Sequence, residues 1–347
     1  MIPDPRWSAA RGPLDGRCAP GIPCASMNRM DIRVLDGDDP ATIDLLLPGF
    51  QETARADLPE DPPVSADLLA RLLQRRRGAD RLILAAFDGE RAAGYVKLGL
   101  DLGADLDRAH GSLWVFPAFR RKGTARSLVA ATRDALRERG RGVLLVDAPY
   151  TPAAEAFAGA LGGRAVSSNV RNRLRLRDWD ADSVGVTDPA GLGARLVRWN
   201  ERCPDELVES YARVWSQTGV AINGQAGTAG VTAADVRVAE DEAVRSAHRQ
   251  YAVAAVDARD AVLGYSTLFV RDSPLADSGQ TVVLPEYRKL GAATLLKTAV
   301  IGWARAENPH LAILQAWNDV DNAAVRALNR RLGFEADQRW STYRFEV

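Results

Sequence analysis

Hydrophobic and polar residues follow two patterns along this chain, one typical of strands and the other typical of helices. Short apolar runs bounded by turn residues predict strands, whereas apolar residues three or four positions apart predict amphipathic helices. From residue 30 the predicted order is strand, two helices, three strands, helix, strand, helix, and one or two closing strands. The same order repeats from residue 195 and ends in a terminal hairpin at Val347.

The two series of predicted elements have similar lengths and spacing. The first series has strands at 30–35, 81–87, 92–98, 111–117, 143–147 and 164–176, and helices at 40–56, 65–77, 123–139 and 152–161. The second has strands at 195–199, 251–256, 262–270, 280–284 and 311–317, and helices at 204–217, 232–248, 291–307 and 321–332. A repeated order of this kind predicts a duplicated domain.

A short motif, V-x-P-x-x-R-x-x-G-x-A, recurs in the two series. It runs from Val115 to Ala125 and from Val283 to Ala293, each time between a strand and an amphipathic helix. The first N–H groups of a helix have no partner within the helix, and the helix dipole adds positive charge there. Such a loop suits a diphosphate. Two copies predict two sites for a phosphate-bearing cofactor, here called the cradles.

Further matched positions lie outside the cradles. Gly94-Tyr95 and Gly264-Tyr265 occupy the same place in the two predicted hairpins, and Leu161-Gly162 and Leu332-Gly333 follow the last helix of each series. This order of elements, with the R-x-x-G-x-A loop, resembles the GNAT superfamily of N-acetyltransferases, present twice. The resemblance covers nearly everything after the leader.

The resemblance divides the chain into four parts. Residues 1–29 form a disordered leader or an extension from an upstream start, 30–178 an amino-terminal GNAT domain, 179–194 a linker, and 195–347 a carboxyl-terminal GNAT domain. The implied fold class is mixed α/β. Each domain is expected to have a mixed, mostly antiparallel sheet that splays at the cofactor site and is flanked by helices.

The resemblance also implies that acetyl-CoA is the cofactor and that it binds between two splayed parallel strands. The backbone N–H of Val283 would face the thioester oxygen. The implied cofactor-binding residues are Val283, Arg288, Lys289, Leu290, Gly291, Ala292, Ala293, Asn318 and Asn322 in the second copy, and Val115, Arg120, Arg121, Lys122, Gly123, Thr124 and Ala125 in the first. Gly291 suits a positive φ or a close backbone approach, and Arg288 and Lys289 add charge near the anion.

The sequence departs from the family at the general acid. Family members often use a Tyr four residues before the Gly of the closing Leu-Gly-Phe, but Asn329 stands there, and Ala158 stands in the first copy. A thiolate leaves without much assistance, since the reference thiol pKa is about 8.5. The acid is then a water molecule, Tyr343 or Tyr265, and packing is the alternative role for either Tyr.

Candidates for the general base are sought in the stretch before the second cradle, where family members often place a Glu or Asp. Asp277 lies nearest to the position that the family uses, and Gln280 lies closer to the motif. A loop Asp is equally well explained as a solvated turn residue. In the first copy His110 occupies the corresponding stretch, although a lone His is more often a packed or surface residue.

The two copies differ after the strand that follows each cradle helix. Asn318 and Asn322 in the second copy either bind the cofactor or acceptor, or cap the next helix, as Asp321 also would. The first copy has no Asn there. This asymmetry predicts that the second copy is catalytic, and that the first binds acetyl-CoA or has a structural role.

Composition excludes several other function classes. Lys+Arg and Asp+Glu balance at 45 each, which argues against sequence-independent nucleic-acid binding. The three Cys and three His residues lack metal-site spacing, so no metal is expected. No apolar run is long enough to span a bilayer and no disulfide framework is indicated, which favours a cytoplasmic protein.

These observations favour an acetyl-CoA-dependent N-acetyltransferase that acts on an amine of a small molecule. An antibiotic or another natural product fits as acceptor, and the protein is expected to be a monomer or a homodimer. No cysteine lies near either cradle, so direct transfer in a ternary complex is expected. The alternatives are a non-catalytic acyl-CoA-binding or scaffold protein with degenerate GNAT domains, and an enzyme that acylates a protein terminus or lysine.

Overall fold

The computed structural model describes residues 30–75, 79–103, 105–186, 188–218, 230–246 and 248–347. The predicted leader at 1–29 lies outside these residues. Over the described ranges, twelve strands form a single mixed sheet, and eight α-helices accompany it. The predicted mixed α/β fold class is confirmed. None of the described helices is long and apolar enough to cross a membrane.

The first half follows the predicted order closely. Its main elements are β1 (Asp31–Leu35), α1 (Pro40–Asp57), α2 (Ala66–Leu73), β2 (Ala79–Asp88), β3 (Arg91–Asp101), β4 (Arg108–Val115), α3 (Thr124–Arg137), β5 (Val143–Pro149), α4 (Pro152–Ala160) and β6 (Arg164–Arg175). Side chains cap three of these helices, because Asp39, Ser65 and Thr151 each accept a first-turn N–H. The cap at Ser65 agrees with the sequence pattern.

The second half repeats this order. Its main elements are β7 (Arg195–Asn200), α5 (Val208–Trp215), α6 (Ala233–Arg245), β8 (Arg249–Val256), β9 (Val262–Val270), β10 (Leu275–Val283), α7 (Ala292–Glu307), β11 (Ile313–Asp319), α8 (Ala323–Arg331) and β12 (Glu335–Glu346). The central strands β8 and β9 are buried along nearly their whole length. Continuous burial of this kind is typical of strands that are covered on both faces.

The two halves exchange their last strands. The strand order is β1-β2-β3-β4-β5-β12-β6-β11-β10-β9-β8-β7. β12 thus pairs with β5 of the first half, and β6 pairs with β11 of the second. The terminal hairpin predicted up to Val347 was wrong, since β12 is one continuous strand. Its backbone pairs with β5 along one edge and with β6 along the other.

The exchanged strands carry residues into the core of the opposite half. Tyr343 and Phe345 of β12 pack in the hydrophobic core of the first half. Leu174 of β6 packs in the core of the second half. Each core is therefore completed by the other half of the chain, so the two halves are expected to fold and unfold together.

A buried ion-pair network also joins the halves. Arg171 of β6 is 4% exposed and contacts Asp61, after α1, at 2.9 Å and Asp337 of β12 at 2.8 Å. Arg173 forms ion pairs with the same two carboxylates, those of Asp61 and Asp337. Replacing any one of these four charged side chains is expected to destabilise the fold, because the remaining buried charge would lose its partner.

Candidate active site

Each half contains one pair of parallel strands that separate towards their carboxyl ends. β4 pairs with β5 from Arg108 to Ser112, and β10 pairs with β11 only from Leu275 to Asp277. Beyond these points the facing strand edges are no longer paired with each other. An unpaired edge offers N–H and C=O groups to an extended ligand. We call these openings the first and second splits, and the second is the deeper of the two.

β10 contains a β-bulge, and β4 does not. The register between β10 and β9 shifts between Ser278 and Thr281, so Gly279 and Gln280 have no partners of their own on β9. The pairing of β4 with β3 continues unbroken from Val115 to Ala109. Bulges redirect side chains and backbone groups, and they are frequent beside active sites. Only the second split, among the described residues, has this feature.

Gly279 is required by the packing of the bulge. A Cβ at this position would lie 2.3 Å from Thr267 Oγ1 and 2.8 Å from Cε2 of Phe269. The same Thr267 Oγ1 accepts the N–H of Gln280 at 3.0 Å. A side chain at position 279 therefore cannot enter without moving the bulge.

We predict that Gly279→Val displaces the bulge and thereby lowers kcat/KM by at least tenfold. The protein should still fold, because overpacking costs only roughly 1–3 kcal/mol of stability. Steady-state kinetics and circular dichroism measure the two effects. Gly302→Ala is a suitable control, since a Cβ at Gly302 meets nothing within 4 Å. Unchanged kinetics in Gly279→Val would show that the bulge has no part in turnover.

The two cradles have almost the same backbone. Arg121 and Lys289 have φ values of 62° and 63°, and Gly123 and Gly291 have φ values of 86° and 84°. Each glycine is the N-cap of its helix, and neither helix has a side-chain cap. First-turn N–H groups of α3 and α7 are thus left to an external anion. The residues present fit the diphosphate of an acyl-CoA.

The arginines of the two cradles differ in their partners. The Nε groups of Arg120 and Arg288 donate to the carbonyls of Val115 and Val283 at 3.2 and 3.1 Å. Arg120 also forms a bidentate ion pair with Asp57. Within the described ranges no carboxylate lies at ion-pair distance from Arg288, so the second cradle keeps a positive charge that the first has neutralised.

The N–H of Val283 points into the second split. Hydrogen bonds to one antiparallel neighbour involve alternate residues. The N–H of Leu284 donates to Leu263 on the β9 side at 2.9 Å, so the preceding N–H points away from β9. In the first half, Phe116 donates to Ala93 at 3.0 Å, which directs the N–H of Val115 into the first split in the same way.

A family model for GNAT acetyltransferases matches the chain twice, over residues 45–162 and 211–334. The two matched stretches together cover more than half of the chain. The chain belongs to the acetyltransferase (GNAT) family. It is an enzyme of the N-acetyltransferase type, and the tandem GNAT architecture predicted from the sequence is confirmed.

Solved structures agree with this assignment. The chain is 26% identical to a tandem GNAT protein from the clavulanic acid biosynthesis pathway, with a TM-score of 0.77 over 91% of this chain and 98% of that one. It is 16% identical to a GCN5-related N-acetyltransferase from Sphaerobacter thermophilus, with a TM-score of 0.69 over 92% and 96% of the two chains. The second likeness shows the fold alone. A comparison with curated proteins found no match.

Two candidate catalytic residues of this GNAT protein, Asp277 and Gln280, lie at the second split, and each has a partner. Asp277 is the last residue of β10 that pairs with β11; it forms an ion pair with Arg271 and accepts from Gln315 Nε2 at 2.5 Å. Gln280 lies in the bulge, where its Oε1 accepts the hydroxyl of Tyr265 at 2.5 Å. Both residues line one cleft of about 1520 Å³, which also extends to residues of the first half such as His110 and Leu145.

The candidate acids lie in different places. Tyr343 belongs to β12 and is buried in the core of the first half, so the structure does not bring it to Asp277 and Gln280. Its hydroxyl has no hydrogen-bond partner, and burial raises the pKa of Tyr343. Tyr265 is fully buried beside the bulge, and burial likewise raises its pKa well above the usual value.

The two asparagines of the second copy have different local roles. Asn322 is the N-cap of α8, and its Oδ1 accepts the N–H of Val325 at 3.2 Å. The Oδ1 of Asn318 accepts from Asn329 at 2.6 Å and from Asn172 of β6 at 3.1 Å. Both Asn318 and Asn322 line the cleft.

The sequence patterns missed Lys297 and the pairing of His110 with Asp147. Lys297 reads as one residue of an amphipathic helix, but it is 3% exposed beside the second split. At the first split, His110 Nε2 lies 2.8 Å from Asp147 Oδ2, and Thr342 of the exchanged β12 donates to Asp147 at 2.7 Å. Burial tends to raise the pKa of Asp147, but His110 and Thr342 outweigh it and hold that pKa below its usual value.

Proposed function

We propose that this GNAT protein transfers an acetyl group from acetyl-CoA to an amine of a small molecule, and that the second half carries out the reaction. The observation that carries this proposal is the combination, in one half, of a bulged strand, a deeper split and a cradle arginine without a carboxylate partner. The first half has the same cradle backbone but none of these three features.

The roles of the site residues follow from their positions. When bound, acetyl-CoA supplies an acetyl group that is activated as a thioester. The cradle from Arg288 to Ala293 would hold its diphosphate, and the unpaired edge of β10 would hold its extended arm. The N–H of Val283 would donate to the thioester oxygen, because a preorganised donor there stabilises developing negative charge.

Asp277 and Gln280 are proposed to act on the acceptor side of the second split. An alkylammonium acceptor must lose a proton before it attacks, and its reference pKa is about 10. Asp277 forms an ion pair with Arg271 and would take the proton of the acceptor. Gln280 is oriented by Tyr265 and would position the acceptor rather than take its proton.

A small natural product, such as an antibiotic or its precursor, is the proposed acceptor class. The similar tandem GNAT protein of the clavulanic acid pathway supports this class. The first half is proposed to bind acyl-CoA without transferring it, since its first split is shallow and β4 lacks a bulge. In this proposal the first half binds acyl-CoA, the second half transfers the acetyl group, and both halves belong to the same sheet.

Thiol release from acetyl-CoA in the presence of a panel of small amines tests the proposal. We expect release above the enzyme-free rate with at least one amine, together with a product heavier by one acetyl group in mass spectrometry. If acetyl-CoA raises the melting temperature but no amine yields thiol or product, the chain binds acyl-CoA without catalysis and the proposed reaction is refuted.

A further inference from the structure

One buried ionisable side chain at the second split lies outside the cradle. Lys297 of α7 is 3% exposed and lines the cleft together with Ala316 and Asn318 of β11 and Val282 of β10. Burying an ammonium group is costly, because its hydration is lost. An ionisable group that is buried in a cleft is therefore a candidate for function.

The ammonium group of Lys297 is held by neutral partners. Its Nζ donates to Asn329 Oδ1 at 2.7 Å and lies 4.9 Å from the centroid of the Phe334 ring. Asn329 is fully buried and donates in turn to Asn318, which also accepts from Asn172 of the first half. This chain of amides orients the ammonium without neutralising it.

No carboxylate of the described residues lies at ion-pair distance from Lys297. The titratable groups on the strands that pack against α7 have partners of their own. These pairs are Arg249 with Tyr251, Tyr251 with Glu307, Tyr265 with Gln280, and Asp277 with Arg271. Burial alone lowers the pKa of Lys297 from 10.5 to about 8. A group with a pKa near the working pH both gives and recovers a proton readily.

The first half has no such group at the matching positions. At the same distance from the N-cap glycine, α3 carries Val129, and Ala158 of α4 corresponds to Asn329. Val129 and Ala158 are both buried apolar residues. The buried ammonium thus occurs in the half that also has the bulge and the deeper split. An apolar residue at position 297 would cost less free energy to bury.

We propose that Lys297 is the general acid that protonates the departing thiolate in the second split. The inference rests on the acetyltransferase function proposed above. Transfer forms a bond between the acceptor nitrogen and the carbonyl carbon and breaks the carbon–sulfur bond, whose electron pair stays on sulfur. Lys297 gives that sulfur a proton and regains one, through water, from the acceptor nitrogen.

The position of Lys297 suits this role. It lies about 9 Å along the α7 axis from Gly291, at a rise of about 1.5 Å per residue. The arm that joins the diphosphate of CoA to its sulfur is longer than this distance. A ligand anchored at the second cradle can therefore run along the unpaired edge of β10 and bring its sulfur to the wall that Lys297 lines.

Lys297→Met tests the proposal, because it keeps the apolar stem and removes the ammonium. We expect kcat to fall about 100-fold, a typical contribution of general acid catalysis, with little change in KM for acetyl-CoA. Wild-type kcat should decline above a pH of about 8, as the ammonium is lost, and this decline should be absent from the variant. Val129→Met, at the matching position of α3, is the control and should keep both kcat and the pH profile.

Two measurements need no turnover. In protein with ¹⁵N-labelled lysine, the Nζ signal that is missing from Lys297→Met should titrate near pH 8 without ligand. The folded pKa lies below the unfolded value, so the wild type gains stability as pH rises from about 8 to 10.5. The melting temperature of Lys297→Met should thus exceed that of the wild type most at pH values below 8, and this advantage should shrink above it.

The outcomes separate the two proposals. If the wild type yields no product with any amine, the acetyltransferase reaction is refuted, and the acid role falls with it even where the titration is near pH 8. If the wild type is active and Lys297→Met keeps its kcat and the alkaline decline, the acid role alone is refuted. A titration midpoint near 10.5 would also refute the acid role, because such a group is not poised to exchange its proton.

Discussion

Gly291→Val is expected to lower kcat/KM by at least about 100-fold, whereas Gly123→Val is expected to leave turnover nearly unchanged. Both glycines are N-caps with strongly positive φ, 84° and 86°. A β-branched residue is strained in that conformation, so the loop moves and its N–H groups lose their common direction. Losing two charge-assisted hydrogen bonds costs about 3–6 kcal/mol, and about 1.4 kcal/mol corresponds to tenfold.

The paired variants also separate binding from catalysis. Isothermal titration with acetyl-CoA measures binding, and thiol release measures turnover. We expect each substitution to remove one binding site and only Gly291→Val to reduce turnover. Equal losses of turnover in the two variants would contradict the assignment of catalysis to the second half. Circular dichroism of each variant checks that the fold is retained.

Phe345→Ala is expected to destabilise the first half of the molecule, although this residue lies almost at the carboxyl terminus. Phe345 is 3% exposed in the core of the first half, against which Gly163 also packs closely. Truncating a buried Phe to Ala costs about 3–5 kcal/mol, from the lost contacts and the cavity that remains. Hydrogen exchange should therefore speed up in β2 to β5.

The same strand exchange predicts a single unfolding transition for the whole chain. Separately expressed fragments 30–178 and 179–347 should each fail to give a stable monomer, because each lacks a strand in its sheet. Mixing or coexpression should restore the fold. Glu346→Ala, at an exposed position of the same strand, is the control and should change stability by no more than about 0.5 kcal/mol. Two independent transitions, or a stable isolated half, would contradict the expectation.

The local features of the site were predictable because they depend on residues that are near each other in sequence. The second cradle illustrates this: Pro285 follows the strand, Gly291 takes the left-handed conformation, and α7 begins at Ala292, as its pattern indicates. The capping role of Asn322 was one of two alternatives in the sequence, and the helix geometry shows it.

The placement of Tyr343 was not predictable in the same way. Its strand alternates apolar and polar residues whichever neighbours it has, since the period-2 pattern records which face is buried and not which strand lies alongside. The sequence offered Tyr343 as one candidate acid, whereas strand exchange places it in the core of the first half. Lys297 was overlooked for a related reason, because one Lys in an amphipathic helix usually lies on the solvated face.

By itself the sequence determined the elements, their duplication, the two cradles and the family to which the chain belongs, because these depend on short-range patterns and local backbone preference. Only the tertiary structure decided which strands exchange, where β10 bulges, how deep each split is, and that a lysine and three asparagines meet beside the second one. These features depend on pairing and burial between segments far apart in the chain, where many partners satisfy the same local pattern and packing selects one.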